Sequence, residues 1–302
     1  MQSALLIGNG LNRCYKGAIP WDQLLEDIAR KYQVRFNPRN PFPLEFESIA
    51  NQVLDRGDQT AAGVYGEIKS KIADMVSSQA PTKDSLHKLF VSDIPANHIL
   101  TTNYDYMLER AYLGEEPQKP IESDKSEIKY SRYRFERYAN KAFCHIHGEA
   151  KRANTLCLGY EHYAGYLAKM RKYLKDQPSV DRRISRAELP EKDSWVNLFF
   201  THDIYIVGLT LDTNEIDLWW LLTYRAFLYY SNDSGLRNIM KNRVRIYITS
   251  SDPKKSAEIE SKQELFQNLH VESEIVKVSN GDYEYAYQRI AEKIKQEINA
   301  RR

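Results

Sequence analysis

Three short stretches combine chemically capable side chains with backbone that turns: Gly8-Asn9-Gly10, Thr101-Thr102-Asn103-Tyr104-Asp105 and Cys144-His145-Ile146-His147-Gly148. His147 stands just before a glycine. An imidazole titrates near neutrality, so it can act as a general base; a hydrogen-bonded structural histidine is the alternative. Thr101, Thr102, Asn103 and Asp105 place four hydrogen-bonding side chains within five residues, a set suited to ribose hydroxyls and a water. Capping of the next helix by Asn103 or Asp105 explains part of that set, because a cap needs only one of them. Gly8 and Gly10 allow a phosphate to approach the main chain closely, and a following helix would add its N-terminal dipole. Yet the dinucleotide fingerprint wants a third glycine where Arg13 stands, and no acidic residue ends a second strand about 20 residues on. A glycine turn without ligand fits this stretch equally well.

A metal reading is weaker. Cys144, His147, Cys157 and His162 are zinc-type side chains, but strand alternation points Cys144 and His147 oppositely and no C-x-x-C pair exists. The same alternation puts His145 and His147 on one face. No metal is expected.

The clusters need elements to hold them. "SALLIGNG" is a short apolar run ending in glycine, a buried strand, and "IPWDQLLEDIARKY" follows at helical spacing. Pro38, Pro41 and Pro43 mark a loop or insertion, with helices expected around 45–56 and 60–79. Residues 97–101 and the run ending at Gly148 read as strands, "HDIYIVGLTL" as the most strand-like stretch of all. "LGYEHYAGYLAKMRKYL" is an amphipathic helix with apolar residues at 160, 163, 164, 167, 170 and 174, and 176–194 a mobile connector. "EIDLWWLLTYRAFLYY" reads as an apolar helix opened by Glu215 and Asp217, whose charge suits its dipole. "RVRIYITS" and "VESEIVKV" are late strands, with helices at about 253–269 and 283–299. Strands alternating with helices give an α/β domain with a mainly parallel sheet. Ligands in such sheets bind beyond the carboxyl ends of the strands. Gly8–Asn12, Thr101–Asp105, His145–Gly148 and Gly208–Thr210 all follow a predicted strand and should meet in one crevice.

Composition bounds the partners. The chain has 302 residues, 28% of them charged, and a formal net charge of +2, too small to imply nucleic acid or a membrane surface by itself. "KYSRYRFER" interleaves bases and aromatics, but its alternation reads as a half-exposed strand or hairpin rather than a nucleic-acid contact. No apolar run reaches a membrane span and no secretory signal is visible, so a cytoplasmic protein is expected. Three cysteines argue against a disulfide framework.

Taken in order, "LLIGNGLNRCYKGAIPWDQLL", "ILTTNYDYMLERA", "CHIHG" and "IVGLTLDTNEIDLWWLL" resemble the sirtuin-like NAD hydrolase family of bacterial anti-phage defence. The resemblance implies a single Rossmann-like α/β domain over 1–302, its mainly parallel sheet flanked by helices on both faces. Helical insertions are expected at about 35–84 and 149–194. It also implies NAD as the substrate, cleaved to nicotinamide and ADP-ribose. Asn103 and His147 would hold the two catalytic positions, Gly8, Asn9 and Gly10 would line the dinucleotide phosphates, and Asp105 would support the nicotinamide and ribose end. Gly208 and Thr210 match the loop that touches the adenosine half; Asn12 and Thr102 complete the expected contacts. Sirtuins carry alanine where Asn9 stands. Deacylating sirtuins carry four zinc-binding cysteines, a module this chain lacks, which favours simple hydrolysis. Control is expected from self-association or from a partner such as a HerA-type ATPase. The aromatic helix 218–230 suits oligomer contacts and core packing equally. An NAD-dependent deacylase or ADP-ribosyl transferase is the second reading, distinguished by nicotinamide release that needs an acceptor. A non-catalytic NAD or ADP-ribose sensor is the third, distinguished by binding without turnover.

Overall fold

The computed structural model describes residues 2–15, 17–57, 59–78, 86–117, 122–123, 127–176, 182, 194–231, 240–251 and 253–301. Its strands are β1 Ser3–Ile7, β2 His98–Thr101, β3 Glu122–Ser123, β4 Glu136–Tyr138, β5 Lys141–His145, β6 Asp203–Val207, β7 Val244–Ser250 and β8 Glu272–Lys277. They form one sheet in the order β3-β4-β5-β2-β1-β6-β7-β8. From β5 to β8 every pairing is parallel, while β3 and β4 add an antiparallel hairpin at one edge. The parallel strands therefore run third, second, first, fourth, fifth, sixth, which is the Rossmann order.

Parallel strands are covered on both faces and so read as near-continuous apolar runs. β1 shows this: all five of its residues are buried. Leu5 and Ile7 pack on one face with Leu108, Ile290 and Ile294, which belong to α6 (Met107–Leu113) and α11 (Tyr283–Ala300). Ala4 and Leu6 pack on the other with Tyr166, Phe199 and Leu221, from α7 (Tyr160–Lys175), α8 (Trp195–Thr201) and α9 (Ile216–Tyr230). Each such aliphatic side chain contributes roughly 1.5–3 kcal/mol by leaving water. The outer strand β8 carries Glu272, Glu274 and Lys277, charges that discourage edge pairing. No helix of the described residues is long and apolar enough to cross a membrane.

A third core lies beside the sheet. α2 (Trp21–Tyr32), α3 (Phe42–Leu54) and α4 (Ala61–Ser77) bury Leu24, Ile28, Phe46, Ile49, Ile68 and Ile72 against one another and against Tyr104, Tyr106 and Leu156. Pro43 falls in the first turn of α3, where a missing N–H breaks no helical bond.

Several local expectations change. The element directly after the first glycine turn is α1, only Asn9–Asn12, and the next helix, α2, packs with α3 and α4 rather than over β1. In "KYSRYRFER" only Glu136 and Arg137 enter a strand, and Arg134 is buried, donating to the carbonyls of Glu127 (2.5 Å) and Ile128 (2.6 Å). These two carbonyls and the Glu149 carboxylate at 3.6 Å surround its guanidinium in place of solvent. The buried stripe of α7 is Tyr163, Tyr166, Met170 and Leu174, with Ala164 exposed. Most of the expected connector at 176–194 lies outside the described residues. Further helical elements are α5 (Leu86–Lys88) with the π turn that follows it, a 3-10 turn at Ala153–Thr155, and α10 (Pro253–Asn268).

Candidate active site

The strand order reverses between β1 and β6, and the connections leaving these two strands diverge to opposite faces. A crevice of about 400 Å³ opens there. Asn9 and Gly10 after β1, Thr102 and Tyr104 after β2, His147 after β5, and Gly208 and Thr210 after β6 all line it. All four sequence clusters thus contribute to one cavity. A second hollow of about 450 Å³ shares Gly10, Arg13, Gly208, Leu209 and Thr210 with the first. It continues to Tyr247, Thr249 and Ser250 at the end of β7, and to Tyr283 and Tyr287 of α11.

The glycines at this junction lock two loops together. Gly8 N–H donates to Val207 O (2.9 Å) and Gly10 N–H to Gly208 O (2.8 Å). A Cβ on Gly8 would lie 2.4 Å from Leu209, and one on Gly10 2.8 Å from Gly208 O and from the Tyr287 hydroxyl. Gly208 itself has φ +71°, a backbone region costly for residues with a Cβ. Backbone contact between loops thus requires these glycines, and their two amides are committed to β6 and its loop rather than aimed at a phosphate. Gly8 does not line either cavity, whereas Asn9, Gly10 and the Arg13 side chain do. With α1 only four residues long, no extended helix points its N-terminus here. Arg13 lies at the junction of both hollows.

The two histidines of "CHIHG" do different jobs. β5 ends at His145, so alternation ends there too, and the two rings turn to opposite faces of the sheet. His145 is buried between two acceptors: Nδ1 lies 2.7 Å from the Asn103 carbonyl and Nε2 2.8 Å from Glu109 Oε1 on α6. Both nitrogens must then carry protons. Burial alone would lower this pKa, but the Glu109 charge and hydrogen bond overcome it and raise it to about 10. His145 is therefore a fixed imidazolium that holds the Asn103 backbone, and Thr101 Oγ1 accepts from the Asn103 N–H at 3.0 Å.

Asn103 so held is 1% exposed, and neither its Oδ1 nor its Nδ2 has a partner among the described residues. Leaving a buried amide unpaired costs about 1–3 kcal/mol, which a native core rarely carries without a use for it.

His147 contacts one carboxylate. Its Nε2 lies 2.9 Å from Asp217 Oδ2 in the first turn of α9, both side chains being almost fully buried. The carboxylate accepts, so Nε2 carries the proton and Nδ1 remains for a ligand in the crevice. Burial pulls the imidazole pKa down, but the charge and hydrogen bond of Asp217, with Glu215 adding, raise it overall. The ring is braced edge-on by Tyr163, with centroids 5.4 Å apart. Its main chain is pinned as well: the Cys157 N–H donates to His147 O at 2.8 Å, and the Tyr104 hydroxyl donates to Cys157 O at 2.5 Å.

Three expected site residues are buried outside the crevice lining: Asn103, between the lining residues Thr102 and Tyr104, and Asn12 and Asp105. Asn12 Nδ2 donates to Asp105 Oδ2 (2.8 Å), its Oδ1 lies 2.8 Å from His87 Nε2, and Asp105 Oδ1 accepts from the Met107 N–H (2.9 Å) at the start of α6. Asn12, His87 and Asp105 tie α1, α5 and α6 together behind the site; the N-cap of α6 is Tyr106, so Asp105 meets the first helical N–H from one residue before the cap position expected for it. Thr102 lines the crevice, and Thr210 does so with its hydroxyl donating to Asp212 Oδ1 at 3.0 Å. Cys14, Cys144 and Cys157 are free thiols. His162 Nδ1 accepts from the Leu158 and Gly159 amides rather than joining Cys157. Among the described residues no group of three or more His, Cys, Asp or Glu side chains could hold a metal ion.

The sequence reading did not assign Asp217, Glu215, Tyr104, Tyr163 or Trp21 to the site. Asp217 and Glu215 left a signal, two acids just past a glycine that ends a strand, but dipole matching explained them sufficiently. Trp21 spaces like a core residue of α2, yet it lines the crevice and packs edge-on against Tyr104 at 4.9 Å.

Residues 97–220, from the start of β2 into α9, match the family model of the SIR2-like domain. No curated protein is similar enough to match the chain. The matched segment carries Asn103, His147, Gly208, Glu215 and Asp217, so in this part the chain is similar to the sirtuin-like superfamily of NAD-dependent enzymes, on a Rossmann-like sheet.

Proposed function

We propose that this chain is an NAD glycohydrolase that cleaves the nicotinamide–ribose bond with water. The observation that carries the reading is the pairing of Asn103, whose buried amide lacks partners, with His147, whose Nε2 is fixed by Asp217, at the end of a Rossmann sheet. The residues fit the substrate. His147 and Glu215 line the crevice where a ribose would sit, with the unpartnered Asn103 amide buried behind the lining residues Thr102 and Tyr104; Arg13 stands between the two hollows for the phosphates, and Tyr247, Thr249 and Ser250 border the far half. Nicotinamide leaves neutral, so the site needs no strong acid. It needs to hold the ribose while positive charge develops there and to place a water. His147 Nδ1 takes a ribose hydroxyl or a proton, and Asn103 orients ribose and water. The Asp217 and Glu215 carboxylates favour the developing cation.

The test is incubation of the purified protein with NAD, alone and with a candidate partner, measuring nicotinamide and ADP-ribose. His147→Ala and Asn103→Ala should each lower release by about two to four orders of magnitude. Release that requires an acyl-lysine or acceptor protein, or release unchanged in both variants, overturns the reading. By its family resemblance the activity serves anti-phage defence through NAD depletion, held in check by self-association or by a HerA-type ATPase. Phe227 and Tyr230, exposed on α9, support the self-association arm.

A further inference from the structure

Hydrolysis makes two demands on this crevice: a ribose must be gripped and a water must lose a proton. One imidazole, already tied to Asp217, is a poor answer to both. Glu215 lines the same crevice as His147 and Tyr163. It occupies the N-cap position of α9 but makes no side-chain cap bond. The capping residues of α4 and α11 behave otherwise: Thr60 Oγ1 accepts from the Gly63 N–H and Asp282 Oδ1 from the Tyr285 N–H. Glu215 Oε2 is instead buried with no partner among the described residues. A carboxyl that neither caps its helix nor pairs with a cation, beside the group that grips the ribose, is placed for chemistry.

We propose that Glu215 is a second catalytic residue: its carboxylate accepts the proton of the attacking water while His147 stays on the ribose. This rests on reading the chain as an NAD hydrolase. In the step, the water oxygen bonds to the ribose anomeric carbon as the bond from that carbon to nicotinamide breaks. The bonding electron pair goes to the pyridine nitrogen, which leaves neutral. The water proton goes to Glu215 and is returned to solvent afterwards. The electrostatics of the pocket agree. Burial pushes the Glu215 carboxyl up to about 8, with Asp217 and Asp212 adding to the rise and His147 and Lys262 opposing it. A group so poised accepts a proton readily, and the cationic end of NAD favours its ionised form.

The experiment compares the 302-residue chain with its Glu215→Gln variant, an isosteric change, in nicotinamide release across pH with and without sodium azide. Azide attacks without losing a proton, so it bypasses a missing base. The expected result is a fall in kcat of about 100-fold or more with KM for NAD changed less than about threefold. The acid limb of kcat/KM near pH 8 should disappear, and azide should restore release with an azido product in the variant only. A kcat within about threefold of the parent overturns the proposal. So does a loss that leaves the limb in place and is not relieved by azide, which marks a structural role. A parent chain that binds NAD without releasing nicotinamide, both alone and with a HerA-type ATPase, overturns the hydrolase reading and Glu215 with it; an active parent with an unaffected variant overturns Glu215 alone.

Discussion

Replacing Asp217 with asparagine tests whether His147 is set by its partner. In the native pair, Nε2 lies 2.9 Å from Asp217 Oδ2, and the side chains are 4% and 0% exposed. A carboxylate accepts only, so the proton stays on Nε2. An amide can turn two ways. With its nitrogen toward the ring it donates to Nε2, the ring proton moves to Nδ1, and the crevice loses its acceptor. That tautomer should cost about 10²–10⁴ in kcat, or roughly 3–5 kcal/mol of barrier. With its oxygen toward the ring the tautomer survives. The amide nitrogen then replaces Asp217 Oδ1, which is buried without a partner among the described residues, at a cost of about 1–3 kcal/mol in stability. Either way the imidazole loses its anionic neighbour, the contribution that outweighs burial, and its pKa must fall. Nicotinamide release reads the first outcome, thermal unfolding the second, and an NMR titration of His147 the shift. A variant with parental kcat, parental stability and an unmoved His147 titration refutes the reasoning.

Other outcomes follow from the same contacts. Gly8→Ala should destabilise by about 1–3 kcal/mol, because its Cβ would meet Leu209 at 2.4 Å and Gly208 O at 2.6 Å; an unchanged Tm would mean the loops are not interlocked as described. Gly66→Ala, an exposed site in α4 where a Cβ meets nothing within 4 Å, should instead stabilise by about 0.8–1 kcal/mol. His87, which burial holds down to about 4, stays neutral in the fold while an unfolded histidine protonates below its ordinary 6.5. Its folded pKa lies below the unfolded one, so stability is lost as pH falls through that window, by about 2 kcal/mol from pH 7 to 4.5. Glutamine in its place should keep the donor to Asn12 and remove that loss; denaturant midpoints at the two pH values decide it.

The α/β pattern was legible because the central parallel strands β1 and β6 are buried on both faces and announce themselves as apolar runs ending in glycine. β1, β6 and β7 fall within the runs that predict them, and so does convergence at the carboxyl ends, which follows from connectivity alone. The places of Asn103 and His147 just past strand ends were legible for the same reason, but only His147 reaches the crevice lining. The individual partners were not. His145 and His147 are two residues apart, and only the end of β5 between them sends one to Glu109 on α6 and the other to Asp217 on α9. Asn12 and Asp105 looked like ligand contacts until 93 residues of chain closed to leave them bonded to each other. Gly8 and Gly10 looked like a phosphate cradle until the β6 loop took their amides. Sequence spacing determines which residues reach the rim of the sheet, because strand and helix periods are local. Which of them face the crevice, and which are consumed in holding it, depends on groups distant in the chain, and only tertiary packing brings those together.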